Sequence, residues 1–198
     1  MAFTFFFRDM HTLKLIEDYV LPDLKTRRYL DIWDAGCAHG PEPYSLAILL
    51  HENMGMFMFR NVRIFATDIN DQFGDVISRG VYPEEQIKRI PPEMLGEYFS
   101  PADDPGHYVI AEPIRKSVRF QHHDLTSLRP IKSGFGLITC KNVLLHLSPE
   151  ERVNVIKMFH SALSPGGYLA TEQTQKMPDE LRGMFRQVTP DAQVFQKS

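Results

Sequence analysis

A chain of 198 residues, 43% hydrophobic, is long enough to bury one substantial core. Its net charge of −3 and its scattered basic residues argue against nucleic acid as a partner, because a nucleic-acid binder needs a concentrated basic surface. Two cysteines are too few for a disulfide framework and, lacking a third ligand, for a metal site, and no run reaches the roughly 18 to 20 apolar residues that cross a bilayer.

The apolar start from Met1 to Phe7 is closed by Arg8 and Asp9, too soon for a signal peptide, so the expectation is a cytoplasmic protein without membrane insertion. Phe3 and Phe5 to Phe7 are expected as core anchors. Leu13, Ile16, Val20 and Leu24 fall at helical spacing over 12–25, and Pro22 should break or restart that helix. A strand over 29–35 leads into a turn through Gly36 and Gly40 and then an apolar helix over about 41–54. Strand, glycine turn and helix in that order form the first βα unit of an open α/β nucleotide fold. Gly36 and Gly40 leave backbone without a Cβ to obstruct a ligand, and the N–H groups opening the helix are expected as donors beneath it. Pro41 and Pro43 suit a first turn, where their missing N–H groups cost nothing. The spacing Gly-x-x-x-Gly differs from the Gly-x-Gly-x-x-Gly of diphosphate sites, which favours a nucleoside without a diphosphate. A plain strand-to-helix turn would explain the same two glycines.

A second strand over 62–67 ends in Asp68, the position that grips ribose hydroxyls in this architecture, with Asn70 expected to cap a helix running to about Arg79. The alternative for Asp68 is a helix cap. Residues 81–117 interrupt the βα alternation with Pro83, Pro91 and Pro92 and a strand pair expected near 107–111 and 114–117. A third parallel strand over 118–124 delivers Asp124 at its end. His122 and His123 within it point to opposite faces and cannot chelate one metal together. The fourth strand, 135–140, leads into Lys141, Asn142, Val143 and on to His146. Ser148, Pro149 and Glu151 then write a capping box with proline at the first helical position, and Val153, Ile156, Phe159 and Leu163 mark the buried stripe. The helix stops at Ser164 to Gly167. A fifth strand starts at Tyr168, followed by a short helix and a terminal strand near 193–196. The expected architecture is one domain over 1–198, a doubly wound, mostly parallel α/β sheet of Rossmann type with a small insertion at 81–117. The ligand is expected over the strand ends between the first and fourth strands, where Cys37 and Cys140 would be neighbours.

Several stretches together resemble the CheR-type methyltransferases, which transfer methyl from S-adenosylmethionine to glutamate side chains of bacterial chemoreceptors. They are Thr4 to Asp9, Trp33 to Ser45, Ala66 to Ile69, Gly80 to Tyr82, Tyr98-Phe99, Val118 to Phe120, Cys140 to Leu145 and Leu163 to Gly167. The resemblance implies S-adenosylmethionine as cofactor, S-adenosylhomocysteine as product, a class I methyltransferase fold, and a protein partner that is a chemoreceptor or another signalling protein. It implies that Thr4 and Arg8 lie near the methionine end of the cofactor and that Glu42 contacts its amino-acid or sugar portion. Asp68 would hold the ribose, Asp124 and Leu125 would flank the adenine, and Asn142 and Val143 would line the methionine side, over the Gly36 and Gly40 turn. Arg8 and His146 are the candidates beside the reacting groups. The family places a tyrosine next to the methyl where this chain has His146, an acid where it has Pro41, and an all-helical module ahead of the Thr4 motif. The rival functions are a non-catalytic S-adenosylmethionine or S-adenosylhomocysteine binding module in signalling and, on the fold alone, a nicotinamide-dependent oxidoreductase.

Overall fold

The computed structural model describes residues 4–174, 176–190 and 193–198; Phe3 lies outside them. Each described strand has nine residues or fewer, and the strands' period of two builds two cores. On β1 (Leu30–Ala35), Ile32 faces one core with Ile64 and Leu137, while Trp33 faces the other with Ile138 and Leu169. All six β1 residues are buried, as expected of a central strand covered on both faces.

β2 (Val62–Asp68), β6 (Val118–His122), β7 (Phe135–Cys140) and β8 (Leu163–Thr171) run parallel to β1, and β10 (Val194–Lys197) runs antiparallel between β8 and β9 (Phe185–Gln187). The seven strands stand in the order β6-β2-β1-β7-β8-β10-β9. The chain therefore winds outward from β1 to β2 and β6, then returns to β7 on the other side and winds away through β8. That reversal opens a crevice over the carboxyl ends of β1 and β7.

α3 (Pro41–Phe59) buries Tyr44, Leu46, Ala47, Ile48 and Leu50, and its helical course breaks at Gly55, whose φ of 71° and ψ of 161° no helix contains. α8 (Pro149–Ala162) begins with the expected capping box: Glu151 N–H donates to Ser148 Oγ at 3.3 Å and Ser148 N–H to Glu151 Oε2 at 2.9 Å. Before β1, α1 (Met10–Leu15) passes through a π turn at Ile16–Val20 into α2 (Leu21–Leu24), so Pro22 does restart the helix. α4 (Phe73–Arg79) begins later than Asn70. Asn70 Oδ1 instead accepts the Gln72 N–H at 3.1 Å, ordering the turn ahead of the helix rather than capping it.

The insertion is a three-stranded antiparallel sheet in the order β3-β5-β4, from β3 (Val81–Pro83), β4 (Phe99–Pro101) and β5 (His107–Ile110), with α5 (Glu84–Ile87) and α6 (Pro92–Tyr98) between β3 and β4. The expected strand at 114–117 is helix α7 (Glu112–Ser117): Pro113 sits in its first turn and Lys116 pairs with Glu112 one turn back. The amino-terminal segment is clamped between insertion and sheet domain. Phe6 packs edge-on against Tyr82 at 5.0 Å and Phe99 at 5.3 Å, and Phe7 N–H donates to Ser45 Oγ at 2.8 Å. Phe6 and Phe7 are core anchors, whereas the half-buried Phe5 ring lies under the Arg89 guanidinium at 4.6 Å.

Candidate cofactor and acceptor site

β1 ends at Ala35 and the chain turns at once. Gly36 N–H and Cys37 N–H both donate to Thr67 O, at 2.7 and 2.9 Å, and Ala38 N–H donates to Asp68 Oδ2 at 3.0 Å. Gly40 N–H reaches Cys37 O at 3.3 Å. The N–H groups of Gly36, Cys37, Ala38 and Gly40 are thus consumed within the chain, and of the residues opening the helix Pro41 and Pro43 have none. A turn that spends four of its donors on its own chain agrees with a ligand that lacks a diphosphate.

The two glycines do different work. Gly36 has φ +94°, and a Cβ on it would stand 2.1 Å from Val143 Cγ2, so Val143 closes directly over the turn. Gly40 has φ +111°, and its absent Cβ makes room for Tyr82 Oη at 2.4 Å and Ile77 Cγ1 at 2.9 Å. Tyr82 donates to His39 O at 3.0 Å, so the second glycine fastens the turn to the insertion. Burial pushes the Cys37 and Cys140 thiols well up, which leaves both inert, and both feel the carboxylates of Asp34 and Glu42.

Asp68 accepts from Ala38 N–H and, through Oδ1, from Asn70 N–H at 3.0 Å. It does not cap α4. It joins the glycine turn to the end of β2, half-buried, with lone pairs left for a ligand. Asp68 O in turn accepts the His123 N–H at 2.9 Å, which brings the end of β6 alongside. There Asp124 caps a 3-10 turn, accepting from Thr126 N–H and Oγ1 at 2.8 Å each, and these bonds hold its carboxyl below the usual range. Leu125 packs inward with Trp33, Cys140 and Leu144.

After β7, Asn142 takes a left-handed φ of 59°, which presents its N–H to Glu172 Oε2 at 3.0 Å and turns Val143 over Gly36. His146 ends the following 3-10 turn, exposed, its N–H bonded to Val143 O. Beneath lies a knot of charge that the sequence did not disclose. Asp34, fully buried on β1, accepts from Thr139 Oγ1 at 2.8 Å and feels the charge of Glu42. Burial, and then the Glu42 charge, push the Asp34 carboxyl well up; burial also raises Glu42, against the pull of Lys141. Lys141 Nζ stands 3.6 Å from Glu42 Oε1 and 4.0 Å from Asp9 Oδ2. A cavity of about 10 Å³ beside it is lined by Arg8, Asp9, Glu42, Thr139 and Lys141 among others. Asp34 Oδ2, Glu42 Oε1 and Glu172 Oε1 are buried and accept no hydrogen bond from the described residues.

Thr4 lies on the other side of the amino-terminal segment, at a hollow of about 760 Å³ that His39, Asn70, Tyr82, Gln86 and Arg89 also line. The structure therefore gathers Gly36, Glu42, Asp68, Asn142 and Val143 around the ends of β1, β2 and β7. Arg8 and Thr4 stand at its two rims, and Asp124 and Leu125 beyond β2. Lys141, Asp34 and Glu172 were missed. An acid near the carboxyl end of a strand buried along its whole length flags Asp34, and the reasoning that selected acids at the ends of the second and third strands applies to Glu172 after the fifth. Apart from this site, His51, Glu52 and Glu97 bring metal-ligating atoms within 4.8 Å of one another, and the buried Tyr98 hydroxyl bonds to His51 Nδ1 and Glu52.

Comparison with known proteins decides the family, for residues 2–194 match the CheR methyltransferase, SAM binding domain. The chain belongs to the CheR methyltransferase family. It is 33% identical over 187 residues to chemotaxis protein methyltransferase 1 of Pseudomonas aeruginosa, covering 89% of this chain and 68% of that one. It is 30% identical to chemotaxis protein methyltransferase 2 of Vibrio cholerae, covering 88% and 62%. The chain spans about two thirds of the length of these curated relatives. The fold is also that of a TehB-like SAM-dependent methyltransferase from Corynebacterium glutamicum, with a TM-score of 0.51 at 16% identity over 90% of this chain and 85% of that one. PKMT2 from Rickettsia typhi, solved with S-adenosylhomocysteine, gives a TM-score of 0.51 at 14% identity over 86% of this chain and 26% of that one. The cofactor of the family's domain is S-adenosylmethionine. The residues fit it: a cofactor that carries a sulfonium and an ammonium suits a floor where buried carboxylate oxygens of Glu42 and Glu172 accept no hydrogen bond from the described residues. Among the described residues no helix is long and apolar enough to cross a membrane.

Proposed function

We propose that this domain transfers methyl from S-adenosylmethionine to a glutamate carboxylate on a protein, a chemoreceptor or a related signalling protein. The observation that carries this reading is the closure of Val143 over Gly36 beside Asp68, at the sheet's switch point, in a chain of the CheR family. When bound, the cofactor supplies an electrophilic methyl on a sulfonium. Asp68 would hold the ribose hydroxyls, Asp124 and Leu125 would flank the adenine, and Glu42, Asn142 and Val143 would line the methionine portion.

A glutamate side chain with an ordinary pKa near ~4.3 is already ionised at neutral pH, so the acceptor needs no base. The chain's task is placement and the exclusion of water. The hollow lined by Thr4, His39 and Gln86 adjoins the glycine turn and is the place offered to the acceptor. Arg8, with its planar fork, would orient a carboxylate at the rim. Burial lowers the His39 pKa, so this ring stays neutral beside the acceptor and adds no competing cation.

Radiolabelled S-adenosylmethionine offered with receptor cytoplasmic fragments tests the proposal. The expected product is a labelled protein whose label leaves as methanol in alkali, the signature of a carboxyl methyl ester. Ligand binding without any such transfer would instead support a signalling module that binds the cofactor and does no chemistry.

A further inference from the structure

Glu172 stands just past the carboxyl end of β8 and is only 6% exposed. One carboxylate oxygen accepts the Asn142 N–H; the other is buried and has no partner. Glu172 belongs to no ion pair among the described residues, whereas Glu42 and Asp9 share Lys141. Its charge reaches Cys140 at the end of β7, the same point that Glu42 and Asp34 influence. A buried, uncompensated carboxylate is costly in the empty protein and is relieved when a cation arrives.

The donor and the product of methyl transfer differ by one charge. S-adenosylmethionine carries a sulfonium where S-adenosylhomocysteine carries a neutral thioether, and their remaining polar groups are the same. A site can discriminate between them through the charge at that end of the ligand or through the room it leaves for the methyl, and a carboxylate nearby acts on the charge. Glu172 holds the backbone of Asn142, whose left-handed turn sets Val143 over Gly36, and keeps a buried carboxylate oxygen without a hydrogen bond behind that turn.

We propose that Glu172 is a specificity-determining residue that favours the positively charged methyl donor over the neutral product, so that its charge promotes product exchange. The proposal rests on the cofactor reading above and adds to it a residue which that reading does not use. Glu172→Gln separates charge from structure, because the amide oxygen can still accept the Asn142 N–H while the charge is gone. Glu172→Asp keeps the charge and withdraws it by one methylene.

The test is calorimetric titration of the full chain and both variants with three probes: S-adenosylmethionine, S-adenosylhomocysteine, and sinefungin, an unreactive analogue with a protonated amine in place of the sulfonium. In the Gln variant, affinity for the two cations should fall about five- to tenfold, and affinity for S-adenosylhomocysteine by less than about twofold. The Asp variant should lie between, and it serves alone if melting curves show the Gln variant unfolded. Equal losses for all three probes would mean that Glu172 only holds Asn142 in place, and unchanged affinities would mean that it does neither; both overturn the proposal while leaving the cofactor reading intact. A wild-type chain that binds none of the probes overturns the two together.

Discussion

Asp31 and Asp34 stand at opposite ends of β1, and the protein treats them oppositely. Asp31, at the amino end, meets Arg63 Nε at 2.7 Å and the Lys132 ammonium, which also lies over the Phe65 and Phe135 rings. Every charge there has a partner, and both cations remain partly exposed to water. Asp34, at the carboxyl end, is wholly buried against Glu42, with one oxygen unpartnered. The first arrangement ties strands together. The second leaves polar capacity unspent where the glycine turn, the left-handed Asn142 and Glu172 converge, and such local cost is tolerated where a ligand is to be held.

The widest separation of the two ends should come from Gly36→Ala. The new methyl meets Val143 Cγ2 at 2.1 Å in a backbone of φ +94° that alanine rarely adopts. Affinity for S-adenosylhomocysteine should drop on the order of 100-fold, as displacement of a positioned wall by an ångström does, and calorimetry would check it. The variant should also melt lower by the roughly 1–2 kcal/mol that left-handed backbone costs a residue with a Cβ. Binding at the wild-type level would remove this turn from the site.

Next in size is Asp68→Ala, expected to weaken S-adenosylhomocysteine by roughly 1.5–3 kcal/mol, the range for losing hydrogen bonds to a charged group. Because Asp68 also accepts from Ala38 and Asn70, the ligand-free protein should lose stability too, and Asp68→Asn, which keeps one acceptor, should lose less. A variant that melts lower but binds normally would make Asp68 a turn fastener and nothing more.

Asp31→Ala sharpens the contrast from the other end. It leaves Arg63 and Lys132 able to rehydrate, their side chains being 44% and 35% exposed, so the loss should be about 1–3 kcal/mol of stability and no more. Ligand affinity should not change. Thermal melts with and without S-adenosylhomocysteine distinguish this from Asp68→Ala, because the ligand-induced rise in Tm should survive at Asp31 and shrink at Asp68.

Features written within a few residues were legible in the sequence. The strand at 135–140, the capping box at Ser148 and Glu151, and the glycine turn each depend on neighbours close in the chain, and the structure contains them. The reversal between β1 and β7 followed from the βα alternation and from topology rules. What stayed hidden depends on distant partners. The packing of Tyr82 from the insertion against Gly40 has no local signal, and Lys141 is an ordinary lysine until β7 places it against Glu42 and Asp9. The three-residue β3, β4 and β9 have too little sequence to carry a period, and 114–117 held too few residues to separate alternation from a helical turn.

The smallest expected effect concerns Asp34 itself and runs against the usual behaviour of a carboxylate. Burial first, and the Glu42 charge second, raise its pKa in the folded protein, whereas the unfolded chain titrates it near ~3.9. Above about pH 4 the unfolded chain therefore releases a proton that the folded chain retains, and since stability rises with pH only where the unfolded state holds more protons, here it falls. The contribution is complete below the unfolded value and erodes as pH climbs toward the folded one. Asparagine cannot ionise, yet its oxygen can accept from Thr139 and its amide offers the neighbouring Glu42 a donor, as a protonated carboxyl would. Asp34→Asn should thus match the wild type near pH 4 and melt progressively higher than it toward pH 8, each kcal/mol appearing as about 2–4 °C. Melting curves across that range decide it. A constant offset, or a wild type that gains on the variant as pH rises, would mean that Asp34 is ionised and paired like Asp31, and the difference between the two ends of β1 would be gone.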